Sequence, residues 1–241
     1  MAMITPVNLP LQEPKLGILC GLEDELKTLG GWRRHKWVVA AATGANPRRT
    51  SRAVLGMWRE GCRMLLSWGV AGGLAAELEP GDLILPDGVV LPDGTVLPLA
   101  SNLLPEAGAG PDEPAMLMAG SDRMVLRAAD KAALLAATGA VAVDMETHLV
   151  ARAAEEAAYP AIAIRAIADP AGLDLPAFLE GAVGSDGTPR IGAVLAGLAG
   201  RPAALPTLLK LRRAYRSGLD ALDEAARSDT IGRLLEAVPR I

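Results

Sequence analysis

Aromatic residues are nearly missing from this chain: they make up 3% of its 241 residues, with a single phenylalanine, Phe178. A core must therefore be packed from Ala, Leu, Val and Ile, and any pocket has few rings with which to stack a planar ligand. Cysteine is as scarce. Cys20 and Cys62 stand outside any metal-ligand spacing, which argues against a disulfide or zinc framework and predicts a reduced, cytoplasmic protein with no metal and no cofactor. Positive charge is in deficit, with 24 Lys and Arg against 28 Asp and Glu, so nucleic acid is not an expected partner. The deficit is uneven, because residues 201–241 carry eight basic and five acidic side chains. No apolar run is long enough to span a bilayer, and the prolines of MAMITPVNLPLQEP sit where a signal peptide would need its apolar centre. There is also no internal repeat.

What is present is organised around residues 141–169, VAVDMETHLVARAAEEAAYPAIAIRAIAD. Val141 to Val143 is a short strand-like run that must end at Asp144-Met145-Glu146, because Thr147 to Ala158 reads as an alanine-rich helix. Tyr159-Pro160 stops that helix. Ala161 to Ala168 then reads as a buried strand interrupted by Arg165 and closed by Asp169-Pro170. Ligands collect beyond the carboxyl ends of strands in open α/β sheets, so Glu146 and Asp169 are expected at one crevice. On a regular strand Arg165 and Asp169 share a face about 13 Å apart. The simpler reading makes these acids helix caps and Arg165 an ion-pair partner.

Similar units precede this one. KLGILCG (15–21) reads as a strand followed by the acids Glu23, Asp24 and Glu25 in a first helical turn, where they suit the helix dipole. Trp37 to Thr43 is a second strand. Asn46 and Pro47 then open a helix carrying Arg48, Arg49 and Arg52, a candidate anion site. Met64 to Trp68 is a third strand, running into a glycine-rich turn, Gly69 to Leu74. Strands are expected at 83–85, 88–91 and 115–119, with turns at 79–82 and 92–95, a loop over 100–114 and a helix from Arg123 to Ala137. After Asp169 strands cease. Leu205 to Leu222 forms a basic amphipathic helix with Leu208, Leu211, Tyr215, Leu219 and Leu222 on one stripe. His148 is expected to be a structural hydrogen-bonding residue, Trp68 to be core, and His35 to lie on the surface.

The words GLEDEL, GVAGGL followed by PGDLIL, VAVDMET and IRAIADPA, in this order over residues 15–170, resemble the purine nucleoside phosphorylase and methylthioadenosine/adenosylhomocysteine nucleosidase superfamily. The words ADPAGLDLP, SDGTPR and LAGRPAALPTLLKLRRAYR are similar to the hopanoid-associated phosphorylases, which remove adenine from adenosylhopane. The resemblance implies a three-layer α/β/α fold with a mixed central sheet. Residues 1–241 would form one domain, with a core over 15–170 and a helical C-terminal extension over 171–241.

It also implies roles. Glu146 would take the ribose hydroxyls and Met145 would pack on the sugar. Asp169 would serve the purine and its leaving, with Arg165 near the nucleophile and Glu25 as the carboxylate that activates water in the nucleosidases. The backbone at Ala71 and Gly72 and the side chain of Arg123 are further substrate contacts, Arg123 standing near where the family has a stacking aromatic. Arg48 and Gly21 are the candidate phosphate contacts, phosphate being the co-substrate in phosphorolysis.

Two departures matter: Val70 replaces the family's Ser or Thr, and the 21–25 loop lacks the phosphorylases' Arg. The leading expectation is adenine release from adenosylhopane by phosphorolysis. Hydrolysis, of adenosylhopane or of a soluble nucleoside such as methylthioadenosine, is the alternative, and a non-catalytic nucleoside-binding protein is the reading from another class. A hydrocarbon substituent on the ribose requires an apolar groove or membrane access, at about 25 cal/mol per Å² of apolar surface buried. Residues 172–222 are the candidates for it. A homo-oligomer is implied, with peripheral contact at the inner membrane face through the basic helix.

Overall fold

The computed structural model describes residues 14–44, 46–104, 114–181 and 191–240, with the side chains of 181 and 191–195 outside the description. The SDGTPR segment and most of the 100–114 stretch lie outside the described residues.

Nine strands form one mixed sheet, and the third of them is its axis. β1 (Lys15–Cys20) pairs in parallel with β2 (Val38–Ala42) on one side and with β3 (Cys62–Gly73) on the other. Beyond β3 the sheet divides. β9 (Ala161–Asp169) runs parallel to most of β3, while β8 (Ala142–Asp144) pairs antiparallel with its last two residues, Gly72 and Gly73. β4 (Leu83–Ile84) covers the outer edge of β9, and β7 (Leu117–Gly120), β5 (Gly88–Val90) and β6 (Val96–Pro98) continue from β8. Gly94, at a φ of 84°, closes the β5–β6 hairpin where the sequence places a turn.

The strands alternate between two apolar layers. Ile18, Leu66, Trp68, Ile162, Ile164 and Ala166 face α1 (Glu23–Thr28), α6 (Leu205–Arg227) and α7 (Thr230–Ala237). Leu19, Leu65, Ala161 and Ala163 face α2 (Pro47–Arg59) and α4 (Thr147–Glu156). This is the expected three-layer α/β/α arrangement, packed mainly by aliphatic side chains, leucine and alanine foremost. Trp68 is core, as expected, with its indole N–H donating to Thr28 Oγ1 at 2.9 Å. Asn46 caps α2 by accepting from Arg49 N, with Pro47 at the first helical position.

Several elements differ from the sequence reading. The glycines from 69 to 73 do not form a turn; they extend β3, because their backbone groups pair first with β9 and then with β8. α3 (Ala128–Thr138) starts five residues later than expected. The Leu126 carbonyl is engaged by Leu175 N, and Ala128 N by Asp174 Oδ1, so a distant segment sets the helix start. His35 is half-buried against Trp32, at a ring separation of 5.2 Å, rather than simply on the surface.

The C-terminal part holds α5 (Ile191–Gly200) and α7, which the sequence reading does not separate, and α6 runs on to Arg227. α6 docks on β9 through Gly218, where a Cβ would lie 3.1 Å from the Ile167 carbonyl and 3.2 Å from Val70 Cγ1. Trp32 Nε1 ties in the same helix through the Ala226 carbonyl, at 2.8 Å.

Candidate active site

The site is built at the carboxyl ends of β1, β3, β8 and β9. β1 delivers Gly21 and then α1, whose third residue is Glu25. Both carboxylate oxygens of Glu25 accept backbone amides, Oε2 from Leu22 at 2.7 Å and Oε1 from Val70 at 2.9 Å, so the group is locked toward β3. Burial raises its pKa, against the opposing pull of Arg165 and of these backbone donors.

Arg165 enters from the middle of β9 and is fully buried. Its Nη2 lies 2.6 Å from Asp144 Oδ2, 2.5 Å from Ser67 Oγ, 3.0 Å from Thr147 Oγ1 and 3.9 Å from Glu146 Oε2. Burial works against its charge, but Asp144, Glu146 and Glu25 outweigh it and raise its pKa. Nη1 has no hydrogen-bond partner among the described residues. It is turned toward Glu25 over Gly69: a Cβ on that glycine would touch Arg165 Nη1 and lie 2.6 Å from Glu25 Oε1. A buried donor without an acceptor is costly in a folded protein and marks a place for a ligand oxygen.

Glu146 stands at the turn from β8 to α4, and its carboxyl crowds Gly21, whose missing Cβ would lie 2.8 Å from Glu146 Cδ. Burial, then the nearby Asp144, push its pKa up to about 8. Asp144 itself accepts from Thr147 N, at 3.2 Å, and from Thr147 Oγ1, at 2.5 Å, so it holds the first turn of α4 as well as Arg165. The cap-and-ion-pair reading therefore applies to Asp144, to which the sequence reading gives no role. Its signal is the first letter of the DMET word.

Asp169 lies farther along. β9 carries a bulge after Ile167, so that Ala71 pairs with Ile167 but Gly72 with Asp169. This corrects the regular-strand expectation, since an inserted residue breaks the alternation that would put Arg165 and Asp169 on one face. Asp169 instead spreads over Gly72, with Oδ1 3.2 Å and Oδ2 3.3 Å from where a Cβ would sit. Gly69 and Gly72 are three residues apart, about 10 Å along β3. Burial raises the Asp169 pKa, opposed by Lys131, whose Nζ donates to Oδ2. Lys131 is a site residue that sequence reasoning misses; a lysine on an alanine-rich helix looks solvated.

The structure places Gly21, Glu146 and Asp169 at or just beyond strand ends, Gly72 near the end of β3, Glu25 in the first turn of α1 and Arg165 in the middle of β9. Met145 is half-buried and Ala71 buried beside them. Arg48 and Arg123 are not brought in: both side chains are exposed and make no hydrogen bond or ion pair among the described residues. Next to Arg123, Met124 turns inward and packs with Leu126, Leu175 and Leu179. His148 is buried, but its polar contact, Nε2 to Asp122 Oδ1, is 3.4 Å long. Tyr215 of α6 senses Glu25: burial first, then the Glu25 charge, raise its pKa. Two cavities of about 420 and 350 Å³ lie elsewhere, one beside Tyr159 and Ala161 and one beside Leu83 and Ser228. Among the described residues no cluster of three His, Cys, Asp or Glu could hold a metal.

With this geometry in hand, residues 115–195, from β7 through β9 into α5, match the Phosphorylase superfamily. No curated protein sequence matches the chain. Among solved structures, futalosine hydrolase of Helicobacter pylori is similar, at a TM-score of 0.64 and 16% identity, over 93% of this chain and 98% of that one. So is the H. pylori 5'-methylthioadenosine/S-adenosyl homocysteine nucleosidase, at 0.64 and 15%, over 91% and 98%. The Streptococcus pyogenes S-adenosylhomocysteine nucleosidase, solved with 5-methylthiotubericidin, matches at 0.64 and 16%, over 96% and 100%. The fold is that of these nucleosidases.

Proposed function

We propose that this chain is an enzyme that cleaves the N-glycosidic bond of an adenine nucleoside, with adenosylhopane as the substrate and water as the acceptor. One observation carries the reading: Glu25, Arg165 and Glu146 converge over two glycines, Gly69 and Gly21, whose lack of side chains leaves the space they share.

Breaking the bond builds positive charge on the ribose and negative charge on the departing base. Glu146, its carboxyl beside Gly21, is placed to accept from ribose hydroxyls, and Met145 is the apolar neighbour. Glu25 acts as general base. Its two backbone donors fix its direction, and its raised pKa makes it a better proton acceptor for water than an ordinary glutamate. Arg165 Nη1 holds the attacking oxygen. Asp169, raised by burial, protonates the base as it leaves. A phosphate dianion would meet Glu25 and Asp144 with Arg165 as its one cation from this cluster, and this charge balance favours neutral water. Phosphorolysis is the second reading, supported by the same unpartnered Nη1 and by the resemblance to hopanoid-associated phosphorylases.

The lipid half of the substrate finds support in the C-terminal helices. Leu208 and Leu211 pack with Leu175, Leu179 and Phe178 just beyond Asp169. Leu205 and Leu209, at 46% and 47% exposure, lie beside exposed Lys210, Arg212, Arg213 and Arg216, a pairing suited to an anionic membrane surface. No helix among the described residues is long and apolar enough to cross a membrane, so contact would be peripheral. Assembly as a homo-oligomer belongs to the same reading.

The test is adenine release from adenosylhopane, adenosine and methylthioadenosine, with and without phosphate, in ¹⁸O-labelled water. The expected result is release from adenosylhopane without phosphate and with label in the sugar product, lost in Glu25→Gln. Strict dependence on phosphate would establish the second reading; no release from any of the three would overturn both.

A further inference from the structure

Lys131 lies in α3 with its side chain 1% exposed. A lysine is almost never buried this far unless its charge is matched, and here both partners stand at the end of β9: Asp169 Oδ2 and, at 2.9 Å, the Pro170 carbonyl. The other oxygen, Oδ1, makes no hydrogen bond among the described residues and lies over Gly72. One oxygen of Asp169 is thus held by a buried cation, and the other is left for a ligand.

We propose that Lys131 is the positioning residue for leaving-group protonation: it orients Asp169 through Oδ2 and balances the charge that appears when Oδ1 gives its proton to the base. The inference rests on the glycosidic-cleavage reading above. As the C–N bond breaks, its electron pair passes to the base, and the base nitrogen takes the proton of Asp169 Oδ1–H. The resulting carboxylate is neutralised by the Lys131 ammonium, which keeps its own protons. After the base departs, solvent returns a proton to Asp169. No oxidant or cofactor enters the step. The arrangement also fixes which oxygen acts, because a carboxylate already paired at Oδ2 can approach the base only through Oδ1.

A leaving group that needs no proton separates this role from a structural one. Adenine release is compared with release of 4-nitrophenol from 4-nitrophenyl β-D-riboside, in the wild type, Lys131→Met, Lys131→Arg and Asp169→Asn. Lys131→Met is expected to slow adenine release by about 100-fold while 4-nitrophenol release stays within about 3-fold, with Asp169→Asn giving the same split. Lys131→Arg should restore part of the adenine rate, and Lys131→Met/Asp169→Asn should be no slower than the worse single variant. Equal loss on both substrates, or no loss on either, overturns the inference. Lys131→Gln carries the same comparison if the methionine variant does not fold. 6-Chloropurine riboside, with its more acidic leaving group, replaces the nitrophenyl compound if the wild type does not cleave the latter. A wild type that releases adenine from no nucleoside overturns the cleavage reading itself, an outcome distinct from an active wild type with an equally active Lys131→Met.

Discussion

Asp144, rather than either glutamate of the site, is the carboxylate that holds Arg165: its Oδ2 lies 2.6 Å from Arg165 Nη2, against 3.9 Å for Glu146 Oε2. The guanidinium is thereby anchored through Nη2, with Nε donating to Thr147 Oγ1 at 3.2 Å, while Nη1, turned toward Glu25, has no hydrogen-bond partner among the described residues.

Removing the anchor should therefore cost stability as well as activity. Asp144→Asn and Arg165→Leu each leave a buried group without its partner, a loss of about 3–5 kcal/mol in comparable buried pairs. Urea unfolding of each variant checks this. Arg165→Lys should not rescue, since an ammonium cannot reach Asp144, Ser67 and Thr147 while also presenting a donor at Gly69.

Glu146 predicts a pH dependence of stability. Its pKa stands near 8 in the folded chain against 4.5 for an unperturbed glutamate, so between those values the folded state holds a proton that the unfolded state has released. The folded state binds more protons there, and stability from this group falls as pH rises through that window. Glu146→Gln removes the effect. The melting temperature of the variant should match the wild type near pH 4.5, exceed it increasingly up to about pH 8, and stay level above. A constant difference across this range would contradict the assignment.

Catalysis should show the opposite slope at Glu25. A base must be ionised to accept a proton, and burial raises its pKa, so kcat/KM should climb with pH through a midpoint above the ordinary glutamate range. In Glu25→Gln that limb should vanish along with most of the rate, by about 100-fold or more. A pH–rate profile of adenine release in both proteins decides it.

Two glycine-to-alanine changes make a contrast. Gly69→Ala places a methyl against Arg165 Nη1 and Glu25, and overpacking of this kind costs about 1–3 kcal/mol while displacing both groups from the shared space. Gly56, inside α2, has nothing within 4 Å of an added Cβ, so Gly56→Ala should be neutral or stabilising by up to about 1 kcal/mol. Thermal melts and adenine release should separate the two, with activity lost only at position 69.

The alternation of apolar runs with amphipathic stretches is legible because it depends on neighbours close in sequence. β1, β2, β8, β9, α2 and α4 stand within a few residues of where periodicity and turn chemistry place them. So are the acids at or just past strand ends, Glu25, Glu146 and Asp169, and the charge inside β9, Arg165, since a charge in an apolar run is conspicuous wherever the chain folds. Other features depend on partners distant in sequence. Whether Gly69 to Gly73 turns or stays extended is decided by the backbone groups of β9 and β8. The start of α3 is decided by Asp174 and Leu175, some 46 residues from Ala128 in the case of Asp174. The bulge in β9, the choice of Asp144 over Glu146 as partner of Arg165, and the meeting of Lys131 with Asp169 across 38 residues arise only when strands are in register. Local pattern determined which chemical groups this protein carries to the ends of its strands; long-range pairing and burial decided which of them meet, and with what charge.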